Sequence, residues 1–147
     1  MHRKVTVLLT GLFMLIACGA DDYTLETYGK FEYTYLFKRG SKKQKSHFLF
    51  LKNFDYTNSD DLLEIQKFAI YYYTLDRSKS EYPLTCIQIV DRYYPSVEEL
   101  KFEGITVNIY FVERVEPVRI RKVSIFRKRE RLDIPIPLYT GPAEGPK

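Results

Sequence analysis

The sequence predicts an α+β fold: a mainly antiparallel sheet of about five strands, with one long helix packed on a face. Three observations carry that reading. "FEYTYLF" and "ITVNIYF" alternate with the two-residue period of half-buried strands, and residues 62–73 between them repeat apolar side chains at helical spacing. No internal repeat or shift in composition divides the rest. The order β-β-α-β-β-β therefore reads as one domain over 31–131.

In the first strand, Phe31, Tyr33, Tyr35 and Phe37 share one face and Glu32, Thr34 and Leu36 the other. "HFLFLKNF", 47–54, is apolar on both faces and reads as a more central strand. The loop "KRGSKKQKS" between them makes a hairpin with a long basic tip. Asn58 or Ser59 then caps a helix, and Asp60 and Asp61 sit at the positive end of its dipole. Leu62, Ile65, Ala69, Tyr72 and Tyr73 form its core face with Phe68 at the edge, and Glu64, Lys67 and Tyr71 lie opposite. "DRSKSEYP" ends the helix near Asp76.

"LTCIQIV", 84–90, is the third strand, and Ser96 with Glu99 forms a capping box for a short helix stopped by Gly104. In the fourth, Ile105, Val107, Ile109 and Phe111 point inward and Thr106, Asn108 and Tyr110 outward. The fifth breaks its own alternation. Val118 and Ile120 are even-numbered and Val123 and Ile125 odd, which predicts a bulge near Arg121 and Lys122. Glu116-Pro117 before it lacks the residues of a tight hairpin. The proline-rich 132–147 can build neither ladder nor helix and reads as an extended arm and loose tail.

The N-terminus carries a different message. Arg3 and Lys4 precede "VTVLLTGLFMLIA", Val5 to Ala17. Thirteen helical residues rise about 20 Å, against about 30 Å of hydrocarbon, so the run reads as a secretory signal rather than a span. Leu15-Ile16-Ala17-Cys18 resembles the lipobox of bacterial lipoprotein precursors: an aliphatic residue, a tolerant position, a small residue, then cysteine. The resemblance covers residues 1–18 only. It implies cleavage between Ala17 and Cys18 and a diacylglycerol on the Cys18 thiol, with two or three acyl chains, palmitate among them, holding the protein to a membrane. Gly19 rather than aspartate after the cysteine implies the outer rather than the inner membrane, with the domain facing the periplasm or the surface. Two other readings stay open: ordinary secretion with cleavage after Gly19 or Ala20, and an uncleaved anchor helix. Residues 18–30 then form the lipidated cysteine and its tether, at most ~40 Å over twelve residues.

Removing Arg3 and Lys4 from the 23 basic side chains leaves 21 against 19 acidic, so the mature chain is only slightly cationic. With Cys18 lipidated, Cys86 is the one thiol remaining, no internal disulfide can form, and its apolar strand predicts a buried, inert group. His47 is the one histidine left, and a packed or solvated ring suits it better than a general base. No zinc spacing, phosphate loop or nucleophile elbow is present, so no catalytic residue, metal or cofactor is expected.

Two features remain. One is aromatic density, 13 Tyr and 10 Phe without Trp, best read as sheet core. The other is basic clustering. Lys38, Arg39, Lys42, Lys43 and Lys45 form one group, and Arg119, Arg121, Lys122, Arg127, Lys128, Arg129 and Arg131 another. On an anchored protein these suit an anionic surface or an envelope protein rather than nucleic acid, with Lys42, Lys43, Lys45, Arg119 and Arg121 as one candidate patch. Cations that guard a sheet edge explain the pattern equally well. The expectation is a membrane-anchored, non-catalytic binding or assembly module. The alternative is an envelope enzyme or enzyme accessory.

Overall fold

The computed structural model describes residues 23–40, 45–77, 84–113 and 115–142. The predicted signal peptide, Ala17, Cys18, Lys42 and Lys43 lie outside them. Among the described residues the fold is α+β, with one α-helix and a mixed sheet of seven strands in sequential order. The strands are β1 (Glu26–Tyr28), β2 (Phe31–Gly40), β3 (Lys45–Lys52), β4 (Leu84–Val90), β5 (Ile105–Phe111), β6 (Ile120–Arg127) and β7 (Glu130–Arg131). Helix α1 (Ser59–Arg77) joins β3 to β4. Those two strands are parallel, and every other neighbouring pair is antiparallel. Parallel neighbours need a crossover, and α1 supplies it.

Two short strands extend the expected five. β1 comes from the stretch read as tether, folded back by a two-residue turn in which Gly29 takes φ 58°. β7 closes the opposite edge through Lys128 and Arg129. Three and two residues are too short to show a period in sequence.

Asn58 is the cap of α1: its Oδ1 accepts from the backbone N–H of Asp60 (2.9 Å) and Asp61 (3.1 Å). Asp61 is buried, accepts from Asp55 N–H (2.8 Å) and pairs with Lys30, so it ties the helix start to the β1–β2 turn. Leu62, Ile65, Phe68, Ala69, Ile70 and Tyr73 pack on one face of the sheet against Tyr33, Leu49, Ile87, Ile109 and Ile125. Tyr71 was expected outward. Instead its ring lies 5.3 Å from that of Tyr28, because β1 extends the sheet beneath it.

Bulges decide which residues reach which face. In β2, Tyr35 pairs with Leu49 and Phe37 with Phe48, so Leu36 is the extra residue. Phe37 therefore leaves the Phe31–Tyr33 side, where alternation put it, and joins Leu36 in a second cluster with Phe48, Val90, Tyr94, Leu100 and Phe102. In β6 the bulge falls on Arg121: Lys122 pairs with Tyr110 and Ile120 with Phe111. That is where the broken alternation predicted it.

Two further expectations are corrected. Ser96 makes no capping bond to the backbone; its hydroxyl donates to the Glu99 carboxylate (3.1 Å), and a single 3₁₀ turn, Val97–Glu99, ends at Leu100. Gly104 stops no helix. Any Cβ there would collide with the Asp91 carboxylate, which accepts from Ile105 N–H (3.0 Å) and starts β5. The arm after Arg131 is extended but not loose as far as residue 142. Leu132, Ile134, Ile136 and Tyr139 pack on the α1 core. The buried Gln66 side chain donates to Pro137 O (2.6 Å) and accepts from Tyr139 N–H (2.8 Å), as a strand neighbour would.

Candidate functional site

The face of the sheet turned away from α1 is built in rows, because paired residues on adjacent strands share a side. One row runs Ser46, Cys86, Tyr110, Lys122 from β3 to β6. The next runs Phe48, Gln88, Asn108, Ser124, and the third Phe50, Val90, Thr106, Phe126. Residues 91–104 fold over the Phe48 end of this face through Tyr94, Leu100 and Phe102. The polar middle of the Gln88–Asn108–Ser124 row stays uncovered by that apolar packing.

Two concavities meet at Gln88. One, of about 520 Å³, is lined by Ser46, Cys86, Tyr110, Glu113 and Arg121. The other, of about 390 Å³, is lined by Phe102, Thr106, Asn108, Phe126 and Arg129. Volumes of this size suit ligand sites. The Arg121 guanidinium lies 5.4 Å, and the Lys122 ammonium 4.8 Å, from the Tyr110 ring centre. At the other end the Arg129 guanidinium lies 5.6 Å from the Phe102 ring. Among the described residues no carboxylate pairs with Arg121, Lys122 or Arg129. Asn108 Oδ1 is buried and has no hydrogen-bond partner there. A buried acceptor left open costs about 1–3 kcal/mol.

A crevice of about 440 Å³ at the C-terminal ends of the parallel β3 and β4 is lined by Asn53, Phe54, Asp55, Tyr56 and Asp91. Such ends hold the ligands of many α/β sheets. Here the carboxylates are engaged within the fold. Asp55 accepts from Thr57 N–H (2.9 Å) and Thr57 Oγ1 (2.6 Å), which hold its carboxyl below the usual range, and Asp91 accepts from Ile105 N–H. The Arg127 guanidinium covers the Tyr56 ring at 5.3 Å. The sheet face, unlike the crevice, sets unpaired guanidinium and ammonium groups around side-chain amides.

Of the candidate cationic patch, Lys42 and Lys43 lie outside the described residues, and the structure places the other three as follows. Lys45 belongs to β3 rather than to the loop, and it is only 8% exposed. Three strand spacings, about 14 Å, separate β3 from the β6 that carries Arg121. Arg119 is exposed, its carbonyl accepting from Val112 N–H (2.9 Å). Arg121 instead joins Lys122 and, through Gln88 and Asn108, Arg129. Gln88 and Asn108 could have been found in sequence: each is a lone amide in the middle of an otherwise apolar strand.

The reactive side chains are spoken for. Burial pushes the Cys86 thiol up to about 12. His47 is buried, with Nδ1 hydrogen-bonded to Tyr72 Oη at 2.6 Å and its ring edge-on to Tyr35. Among the described residues no group of three or more His, Cys, Asp or Glu side chains could hold a metal ion. The groove is lined by amides, guanidinium groups and rings.

No protein family, curated protein or solved structure matches the chain.

Proposed function

We propose that this protein is a lipid-anchored module of a bacterial cell envelope, non-catalytic, which binds an envelope partner along the face of its sheet away from α1. The observation that carries the binding role is the Gln88–Asn108–Ser124 row. Polar side chains at the centre of a sheet, with cations at both ends that no carboxylate among the described residues pairs with, suit a surface that is completed by something else. Leu15-Ile16-Ala17-Cys18 supports the anchor. Strand β1 begins at Glu26, so the eight residues from Cys18 reach at most about 28 Å, which keeps the groove near the membrane.

Two experiments test the two halves. Cells labelled with a fatty-acid analogue should mark the wild type and leave Cys18→Ser unmarked; equal labelling sinks the anchor. A photo-crosslinking residue at position 108 should capture an envelope component in intact cells, whereas one at exposed Glu64-facing positions of α1 such as Leu75 should not. Equal capture, or none, at both positions removes the groove from the function. The second reading, an envelope enzyme or enzyme accessory, draws on the crevice beside Asp55 and Asp91.

A further inference from the structure

We infer that the groove takes an extended, acidic peptide segment of an envelope protein. This rests on the reading of the protein as a binding module and does not depend on the lipid anchor.

Length is the first argument. Lys122 and Arg129 stand at opposite ends of β6 and its turn, roughly 20 Å apart at the strand rise. A single phosphate reaches one end only. About six extended residues reach both. The chemistry of the middle is the second. Gln88 and Asn108, both part-exposed, each carry an amide, the same donor and acceptor pair that a peptide group presents, whereas a phosphate offers acceptors alone.

Charge sets the sign. Arg121, Lys122 and Arg129 have no carboxylate partner among the described residues. Of the nearby acids, Glu113 sits at the Arg121 end and Glu103 is held by Arg92 at 3.0 Å. Guanidinium groups bind carboxylates strongly and with defined geometry. Packing over Tyr110 and Phe102 already orders these cations, which lowers the entropy lost on binding. The same packing argues against other occupants. Cations folded down over rings in a concavity meet a flat bilayer poorly, and the covered faces of Tyr110 and Phe102 leave no platform for a sugar.

The test uses the protein as purified from cells, in the presence of zwitterionic lipid, titrated with a fluorescent eight-residue peptide of alternating Glu and Ser. Binding should saturate, weaken steeply as salt shortens the screening length, and vanish when Gln replaces Glu in the peptide. Arg129→Gln, and Arg121→Gln with Lys122→Gln, should each weaken it by about tenfold, the loss of one charge-assisted contact. Asn108→Leu should also weaken it while Arg119→Gln, outside the groove, should not. Thermal melts confirm that each variant folds. A Glu-Ser dipeptide that binds as tightly as the longer peptide overturns the spanning argument. Anionic vesicles that bind while the peptide does not overturn the inference in favour of a lipid surface. If position 108 captures a partner in cells but no acidic peptide binds, the module reading stands and this inference falls.

Discussion

Tyr33 and Cys86 sit in opposite faces of the sheet, and both hold their protons far into the alkaline range. Burial, followed by the neighbouring Glu26 carboxylate, raises the Tyr33 phenol from 10.0 to about 12. Burial raises the Cys86 thiol from 9.0 to about 12. In both cases the folded state binds the proton more tightly than the unfolded chain does. Their contribution to stability is therefore complete below pH 9 and is lost as the pH rises toward 12. Denaturant melts should show stability declining across that window, and Tyr33→Phe with Cys86→Ala should flatten the decline. The same burial predicts that a thiol reagent at pH 8 leaves folded Cys86 unmodified and labels it only in denaturant. Burial of Cys86 was legible from its apolar strand. Burial of Lys45 was not, because its sequence neighbours are the cations of a loop, and only pairing with Gly40 and Leu84 draws it into the sheet.

At the scale of elements, the β6–β7 turn carries backbone strain. Lys128 and Arg129 are its two central residues, and both take left-handed backbone, φ 49° and 70°. Asparagine and glycine adopt that geometry far more easily. Left-handed backbone costs a residue with a Cβ about 1–2 kcal/mol, so Lys128→Asn with Arg129→Gly should raise stability by about that much. The gain should come with loss of acidic-peptide binding, since Arg129 is removed from the groove. Strained residues held where they line a site are a common compromise between stability and function. If melts show no gain, the turn is not strained. The bulges teach a related lesson. Arg121 announced itself because Val118 and Ile120 are out of phase with Val123 and Ile125. Leu36 did not, since Tyr35, Leu36 and Phe37 are all apolar enough for either face.

The molecule as a whole is three layers: an open sheet face, the sheet with α1 behind it, and the arm laid over the helix. Residues 31–131 omit β1 and the arm, both of which contribute to the core. Truncation after Arg131 would remove the packing of Leu132, Ile134, Ile136 and Tyr139 and take two of the three hydrogen-bond partners from buried Gln66, leaving only Leu62 O. Partial burial of four such side chains at about 1 kcal/mol each, plus two hydrogen bonds at about 0.5–1.5 kcal/mol each, comes to about 5 kcal/mol or more. That approaches the whole stability of a typical domain. The truncated chain should therefore melt tens of degrees lower or fail to fold, and Gln66→Leu in the full chain should reproduce part of the loss. A truncated chain that melts like the intact one would show the arm to be dispensable.

Sequence by itself determined what nearest neighbours encode: the strand periods, the amphipathic helix with its cap at Asn58 or Ser59, a bulge near Arg121 and Lys122, and the burial of Cys86. Each depends on the order of a few adjacent side chains. The tertiary structure decided everything that joins residues distant in the chain. It made β3 and β4 parallel neighbours, turned Phe37 onto the second face, docked 132–142 through Gln66, and aligned Gln88, Asn108 and Ser124 from three strands into one row. A two-residue period says which side chains share a face of one strand. It is silent on which strand lies alongside and in what register, because those pairings come from packing and hydrogen bonds across the whole sheet.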